Sequence, residues 1–535
     1  MKRHNGPRPR QTRIVATIGL CPEADYPTFL HKLCEAGADV FRLNMSHADR
    51  DLAKEREILA WAALPLGNYK PPSVAIMADL QGPKARIGKV AGDGIELVAG
   101  RTVWLVPDAE LQAGLDVSGQ TVIPLPEPLG AGIMRSLHQL YLQRPQLRPS
   151  VLFGDGDLVL EVTALEAQYA RAIVVAGGVL GSRKGITIRE IDLDLDPFPE
   201  KDQHDLRFCL AHHVDFVALS FVRTALDLER VRKFIEANQP EGAPEVRLIA
   251  KIETLSAIQH IDAILQACDG IMIARGDLGL QLGVEEVPLI QKQLIQAAQR
   301  HGKPAIVATQ MLESMITNPH PTRAEATDVF NAIVDGGDAV MLSGETSVGL
   351  RPYQVVETMD RITRKAEAWC NDPQRGRPDR SKRAPEADGV AHLQRINEAF
   401  AATSVQFAEH LPAKAIVCFT RTGRTPERLS RHRPGVPLLA FCASPDVARK
   451  LLLYYGLHPV LMQFHEANDK KMAAMVESAR SILREHFGMG KGDAIVVTAG
   501  IDWPKGGTNA LQVLIEDHAA AATGVLGVQE GPLTA

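Results

Sequence analysis

Residues 247–279 read RLIAKIETLSAIQHIDAILQACDGIMIARGDLG, and this stretch decides the fold. Arg247–Ile252 is a short, mostly apolar run, which predicts a strand. Helical periodicity follows it, and a second apolar run, Ile271–Ala274, predicts the next strand. Strand, helix and strand in this order make a parallel β/α unit. The alternation continues through Ala305–Thr309 and Ala339–Ser343. It also extends back through Phe216–Val222, Ser73–Leu80, Val40–Asn44 and Arg13–Ile18, with helices over Phe29–Ala36 and around Leu52–Ala63. Eight strands alternating with helices predict an α/β protein built on a (β/α)8 TIM barrel, its site at the carboxyl ends of the strands.

Two breaks interrupt the alternation. Between about Lys89 and Lys184, short strand-like pieces stand among scattered Gly and Pro: Ile95–Leu97, Thr102–Leu105, Val151–Phe153, Leu158–Val162 and Ile173–Val175. They predict a small all-β unit, an inserted small β-barrel domain overhanging the site as a lid. The Pro- and Arg-rich stretch Asp372–Asp388 reads as a linker. Beyond it Ala415–Phe419, Leu438–Phe441, Val460–Met462 and Ala494–Thr498 predict the strands of a C-terminal open α/β domain. The expected layout is a tail over 1–11, the barrel over 12–88 and 186–371, the lid over 89–185, a linker over 372–390 and the last domain over 391–535. From about Ala519 the chain is rich in Ala and Gly and reads as loose.

Composition agrees with three globular domains. The chain has 535 residues, 45% hydrophobic and 23% charged, which excludes disordered and collagen-like classes. Lys and Arg number 59 against 64 Asp and Glu, so the surface lacks the excess of positive charge a general nucleic-acid binder needs. No apolar run reaches the roughly 20 residues of a membrane span. Met1–Arg13 is basic without an apolar segment behind it, which reads as a frayed tail and not a secretory signal. Seven cysteines with no CxxC pair argue against a disulfide framework or structural zinc, and for reduced thiols in a cytoplasmic compartment.

Polar residues gather at the predicted strand ends: Arg42, Asn44, Ser46 and His47; Asp79, Lys84 and Arg86; Ser220; Lys251 and Glu253; Gly276 and Asp277; Thr309. Lys251 and Glu253 stand two apart on a strand and point the same way. Glu253 and Asp277, on neighbouring strands, suit one hard divalent cation that keeps water and substrate as its other ligands. Lys251, Arg42 and Arg86 add the fixed positive charge a transferring phosphoryl group needs. No GxxxxGK[ST] motif is present, so a P-loop does not hold the nucleotide. Taken singly, these features also fit structural roles: an ion pair at Lys251-Ile-Glu253, a helix cap at Gly276-Asp277, a buried charge pair at Arg42 and Asp79. Their joint placement carries the functional reading.

These stretches make the sequence resemble pyruvate kinase: RLNMSH (42–47), DLQGPKAR (79–86), DFVALSFVR (215–223), AKIE (250–253), ARGDLG (274–279), ATQMLESM (308–315) and PTRAEATDV through MLSGETSVG (321–349). The last domain adds TRTGRT (420–425) and TAGIDWPKGGTN (498–509). The resemblance implies phosphoryl transfer from phosphoenolpyruvate to ADP, giving pyruvate and ATP. By motif, Glu253 and Asp277 hold Mg²⁺ (or Mn²⁺), Lys251 steadies charge on the phosphoryl and the enolate, and Arg42 grips the phosphate. Gly276 and Asp277 offer helix-start amides to the substrate carboxylate, and Thr309 belongs to the proton path. Arg86 and Lys184 contact the phosphates of ADP or ATP, with Asp155, Asn44 and His47 on the nucleotide side.

The resemblance further implies a homotetramer and a phosphorylated metabolite effector at Thr420, Arg421, Thr422, Gly423, Arg424 and Thr425, aided by Trp503 and Lys505. Many members bind K⁺ through residues matching Asn44, Ser46 and Asp79. Lys84 stands where those members have Glu, which implies that its ammonium replaces K⁺ and that the ion is not required. Lys184 to Asp192 departs from the usual Pro-Gly before the chain re-enters the barrel. Two rival readings are a metal-dependent lyase or aldolase acting on pyruvate-type enolates, and a catalytically silent metabolite sensor. The first needs neither Arg86 nor the lid. The second predicts erosion of Lys251, Glu253, Asp277 or Thr309, all of which are present.

Overall fold

The computed structural model describes residues 10–19, 21, 25–46, 58, 74–83, 85–90, 92–189, 191–193, 195–372, 392–411, 413–462, 469–499, 510–516 and 526–527. The first strands are β1 (Arg13–Thr17), β2 (Val40–Asn44) and β3 (Ala75–Asp79). The insert contributes β4 (Ile95–Leu97), β5 (Thr102–Pro107), β6 (Val122–Leu125), β7 (Ser150–Phe153), β8 (Leu158–Leu165), β9 (Ala170–Ala176), β10 (Gly178–Leu180) and β11 (Ile186–Ile188). The chain then returns for β12 (Phe216–Leu219), β13 (Arg247–Ile252), β14 (Gly270–Ala274), β15 (Ala305–Ala308) and β16 (Ala339–Leu342). The last domain holds β17 (Ala415–Thr420), β18 (Leu438–Cys442), β19 (Leu457–Leu461), β20 (Ala494–Ala499), β21 (Ala510–Ile515) and β22 (Leu526–Gly527).

Eight parallel strands close the barrel in the order β1-β16-β15-β14-β13-β12-β3-β2. They are covered on both faces, which is why they read as unbroken apolar runs. Val15, Met77, Phe216, Ile249, Met272 and Ile306 fill the interior, and Ile14, Ile76, Leu248 and Ile271 face the surrounding helices. The interior cluster continues without a break into the last domain through Leu453 and Tyr454.

One repeating contact pins the amino ends of the strands. Asp39, Asp215, Asp269 and Asp338 each immediately precede an even-numbered strand of the barrel. Each carboxylate accepts the first free amide of the preceding odd strand: Ile14 at 2.9 Å, Ile76 at 2.9 Å, Leu248 at 2.8 Å and Ala305 at 2.9 Å. Every one also meets arginine. Arg10 and Arg13 reach Asp39, Arg232 and Arg247 reach Asp269, and from the last domain Arg449 reaches Asp215 and Arg433 reaches Asp338. Buried carboxylates with both amide and guanidinium partners fix strand register.

Several expectations are corrected. Arg10 and Gln11, read as frayed tail, are buried. Arg10 lies between Asp39 and Asp360, and Gln11 bonds to Tyr455 and Pro434 of the last domain. The insert is not all-β: helix Leu129–Gln143 packs Ile133 and Leu137 into its core. Gly130, Gly132 and the prolines just before it hid the helical spacing. Its main sheet, β11-β7-β8-β9-β5-β6, runs edge to edge as a half-barrel, with β10-β4 as a separate pair. In the last domain β19-β18-β17-β20 are parallel, while β21 and β22 add antiparallel strands, so the tail read as loose carries a short strand. The expected helix around Leu52–Ala63 lies largely outside the described residues. Among the described residues no helix is long and apolar enough to cross a membrane.

Substituting Asp39→Ala leaves Arg10 with Asp360 alone and takes the paired carboxylate from the buried Arg13 guanidinium. A loss of about 3–5 kcal/mol is expected, read as a lower denaturant midpoint of the first unfolding transition.

Candidate functional site

The carboxyl ends of the strands hold the charges that the sequence scattered along the chain. Arg42 on β2 donates from Nε to Asp79 Oδ2 at 2.7 Å and from Nη1 to Thr17 Oγ1 at 2.9 Å. Asp79 ends β3 and is 1% exposed. Lys251 on β13 reaches Asp79 Oδ1 and Glu253 Oε1, both at 3.1 Å, and donates to Ser220 Oγ at 2.6 Å. Ser220 in turn donates to the Leu80 carbonyl at 2.7 Å. Sequence reasoning gave Ser220 no role; the structure makes it the rest that aims the Lys251 ammonium.

Burial would drive each of these groups toward neutrality, and their neighbours decide the outcome. Against burial, Lys251 and Arg42 hold Asp79 below the usual carboxylate range. Against burial, Asp79 and Glu253 raise Lys251 above its usual value, so it stays an ammonium. Glu253 differs: burial pushes it up to about 7, Lys251 opposes, and Asp277 adds to the rise.

Glu253 Oε2 accepts the Phe221 amide at 2.7 Å, and Phe221 takes the left-handed φ of 53° to present it. Oε1 makes no formed hydrogen bond, and Lys251 Nζ stands 3.1 Å from it. A buried carboxylate oxygen without a donor, raised by a second carboxylate nearby, is the chemistry of a divalent-cation site. Glu253 and Asp277 line one cavity of about 290 Å³, so the pair fits such an ion.

Thr309 follows β15 with φ of 68°, and Gln310 with φ of 53°. Such conformations cost about 1–3 kcal/mol each and persist only where neighbours enforce them. Arg275 is that neighbour: it donates to the Ala308 and Thr309 carbonyls at 3.3 and 2.8 Å and pairs with Asp328. Sequence reasoning assigned it nothing. Thr309 Oγ1 accepts the Gly276 amide at 2.9 Å and donates to the Ala308 carbonyl at 2.7 Å. The Gly276 amide expected for the substrate carboxylate is therefore held by Thr309 in this state.

The lid supplies the far wall. Arg86, Asp155 and Lys184 line the cavity with Glu253 and Asp277. Arg86 donates to the Arg183 carbonyl at 3.0 Å, which ties the two hinge strands. Arg42, Lys251 and Thr309 do not line this cavity; Lys251 meets it through Glu253, and Thr309 holds Gly276, next in the chain to the lining Asp277. Asn44 pairs with Asp79 in register, and its Oδ1 accepts the Ser46 amide at 3.2 Å. His47 and Lys84 lie outside the described residues.

In the last domain Thr420 ends β17, and its hydroxyl accepts the Gly423 amide at 2.9 Å. Gly423, with φ of 88°, turns the chain into helix Arg424–Arg431. Arg421, Thr422 and Arg424 are exposed, Thr425 half-buried. Trp503 and Lys505 lie outside the described residues. The loop stands on a different domain from the cavity.

Residues 9–356 match the family described as pyruvate kinase, barrel domain, and residues 398–514 match pyruvate kinase, alpha/beta domain. The pyruvate kinase of Methylorubrum extorquens is 37% identical over 521 residues, covering 96% of this chain and all of that one. The pyruvate kinase of Mycobacterium tuberculosis is 38% identical over 508 residues, 94% of this chain and 98% of that one. Among solved structures, a pyruvate kinase from Cryptosporidium parvum superposes with a TM-score of 0.79 at 31% identity, covering 95% of this chain and 96% of that one. With matches of this reach over both barrel and last domain, the chain belongs to the pyruvate kinase family.

Proposed function

We propose that this chain moves the phosphoryl group of phosphoenolpyruvate to ADP at the mouth of the barrel, leaving pyruvate and ATP. The observation that carries the reading is the buried ammonium of Lys251 wedged between Asp79 and Glu253, beside the Arg42 guanidinium. Its raised pKa keeps it cationic throughout, so it acts as fixed charge and not as a base. Arg42 and Lys251 stabilise negative charge on the phosphoryl as it leaves, and Lys251 does the same for the enolate left behind. Asp79 holds both cations in place. Glu253 and Asp277 hold the divalent ion, Mg²⁺ or Mn²⁺, which when bound neutralises charge on the substrate carboxylate and enolate oxygen. Thr309, locked by Arg275 beside the Gly276 amide, stands on the path by which the enolate carbon is protonated. Arg86 and Lys184, with Asp155, take the phosphates of ADP.

The reading extends to three finer points. K⁺ is not required: Lys84 replaces it, and Asp79 and Asn44 already have donors in Lys251, Arg42 and the Ser46 amide. A phosphorylated effector binds at Thr420–Thr425, where hydroxyls, guanidiniums and a helix start converge. The protein works in the cytoplasm as a homotetramer, as its reduced cysteines and family resemblance suggest.

A coupled assay with phosphoenolpyruvate, ADP and Mg²⁺ should release pyruvate, and none from folded protein overturns the proposal. Adding K⁺ to K⁺-free buffer leaves the rate unchanged if Lys84 serves, whereas strong activation refutes that point. Lys251→Met should lower kcat by roughly 10³-fold or more while the fold is kept. In the free protein Glu253 is protonated below about pH 7, so Mg²⁺ must displace a proton there. Mg²⁺ affinity, read by calorimetry, should fall roughly tenfold per pH unit below that point and level off above it.

A further inference from the structure

The chain leaves the lid and rejoins the barrel through a segment fastened at several points. Asp192 Oδ2 accepts the Ser256 amide at 2.8 Å, and its Oδ1 accepts Gln281 Nε2 at 3.2 Å. The same Gln281 amide donates to the Ile191 carbonyl at 2.6 Å. Arg223 donates to the Leu193 and Leu195 carbonyls at 3.2 and 3.0 Å.

The origin of these donors matters. Ser256 stands three residues beyond Glu253, in the first turn of helix Leu255–Gln259, which Thr254 caps. Gln281 stands four residues beyond Asp277, one turn along helix Arg275–Leu282. Asp277 thus shares a helix with one donor to Asp192, and Glu253 stands between β13 and the helix that holds the other. Gln281 is 6% exposed, so its amide is committed to these partners and not to water. The neighbouring Leu280 meets the lid from another side: a Cβ on Gly156 would come within 3.0 Å of it. The lid therefore leans on one helix at two points.

We propose that Asp192 and Gln281 are a positioning pair that sets the stance of the lid over the Glu253–Asp277 site. The pair acts on the nucleotide side of the reaction. Asp155 and Lys184 ride on the lid, so a change in its stance moves them relative to the barrel. Glu253 and Thr309 do not depend on the pair, because Phe221, Lys251 and Arg275 hold them from within the barrel. The proposal rests on the assignment of Arg86 and Lys184 to ADP.

Steady-state kinetics of the full chain test it. Gln281→Glu sets a second carboxylate against Asp192, and Asp192→Asn removes one of the two acceptors. Each should raise the KM for ADP about tenfold, the equivalent of one charge-assisted hydrogen bond. The KM for phosphoenolpyruvate and the affinity for Mn²⁺ should stay near wild type. The double variant exchanges donor and acceptor between the two side chains and should recover part of the loss, the bond to the Ile191 carbonyl staying broken. Hydrogen exchange over residues 186–193 reads the lid without turnover: it should rise in both single variants and fall back in the double. Unchanged KM for ADP with unchanged exchange overturns the proposal, as does a loss shared equally by both substrates and the metal. If Gln281→Glu does not fold, Gln281→Met removes the donor without adding charge and carries the same expectations. A wild type that makes no pyruvate sinks the assigned reaction, while the exchange measurements still decide the pairing.

Discussion

A closed ring of eight short strands has one register, and everything at the mouth of this protein depends on that register being held elsewhere. The four aspartates at the amino ends hold it, each gripping one of the first two amides of a neighbouring strand and an arginine besides. Register fixed at one end lets the other end carry unfavourable features. Phe221, Thr309 and Gln310 take left-handed conformations there, and four charged side chains, Arg42, Asp79, Lys251 and Glu253, are brought within reach of one another. Stability and chemistry are thus divided between the two faces of the barrel, as is general for this architecture.

The charges at the mouth do not cancel. Arg42 and Lys251 face Asp79, Glu253 and Asp277, so the cluster carries one more negative charge than positive once Glu253 is ionised. Asp79 Oδ1 and Glu253 Oε1 both lack a formed hydrogen bond, but Asp79 meets two cations, Arg42 and Lys251, where Glu253 meets Lys251 alone among the pairs formed here. An arrangement in which cations already neutralise Asp79 but leave Glu253 in need is suited to accept a doubly charged ion together with an anionic substrate. The same asymmetry explains why Asp79 is lowered and Glu253 raised though both are buried and both touch Lys251.

The barrel was legible because parallel strands buried on both faces leave unbroken apolar runs, and Val40–Asn44 and Arg247–Ile252 coincide with the observed strands. Strand ends were read slightly long at Phe216–Val222 and Ala305–Thr309, since the backbone breaks from extended geometry at Phe221 and Thr309 for reasons of the site. Helix Leu129–Gln143 was missed because its glycines mimic a loop. Arg10 and Gln11 were misread because nothing local reveals partners about 350 residues or more away, such as Asp360 and Tyr455. The charged residues of the site were legible by type and by place at strand ends. What holds them was not: the roles of Ser220, Arg275, Asp192 and Gln281 come from contacts between segments that the sequence separates.

The last domain meets the barrel at the face opposite the chemistry, through a shared apolar cluster and through Arg449 on Asp215, Arg433 on Asp338 and Glu427 on Arg247. Beside that apolar contact, the ionic clasps specify the partner by a few side-chain identities. Evolution can therefore exchange one appended module for another while leaving the reaction centre untouched, provided the clasps are inherited together.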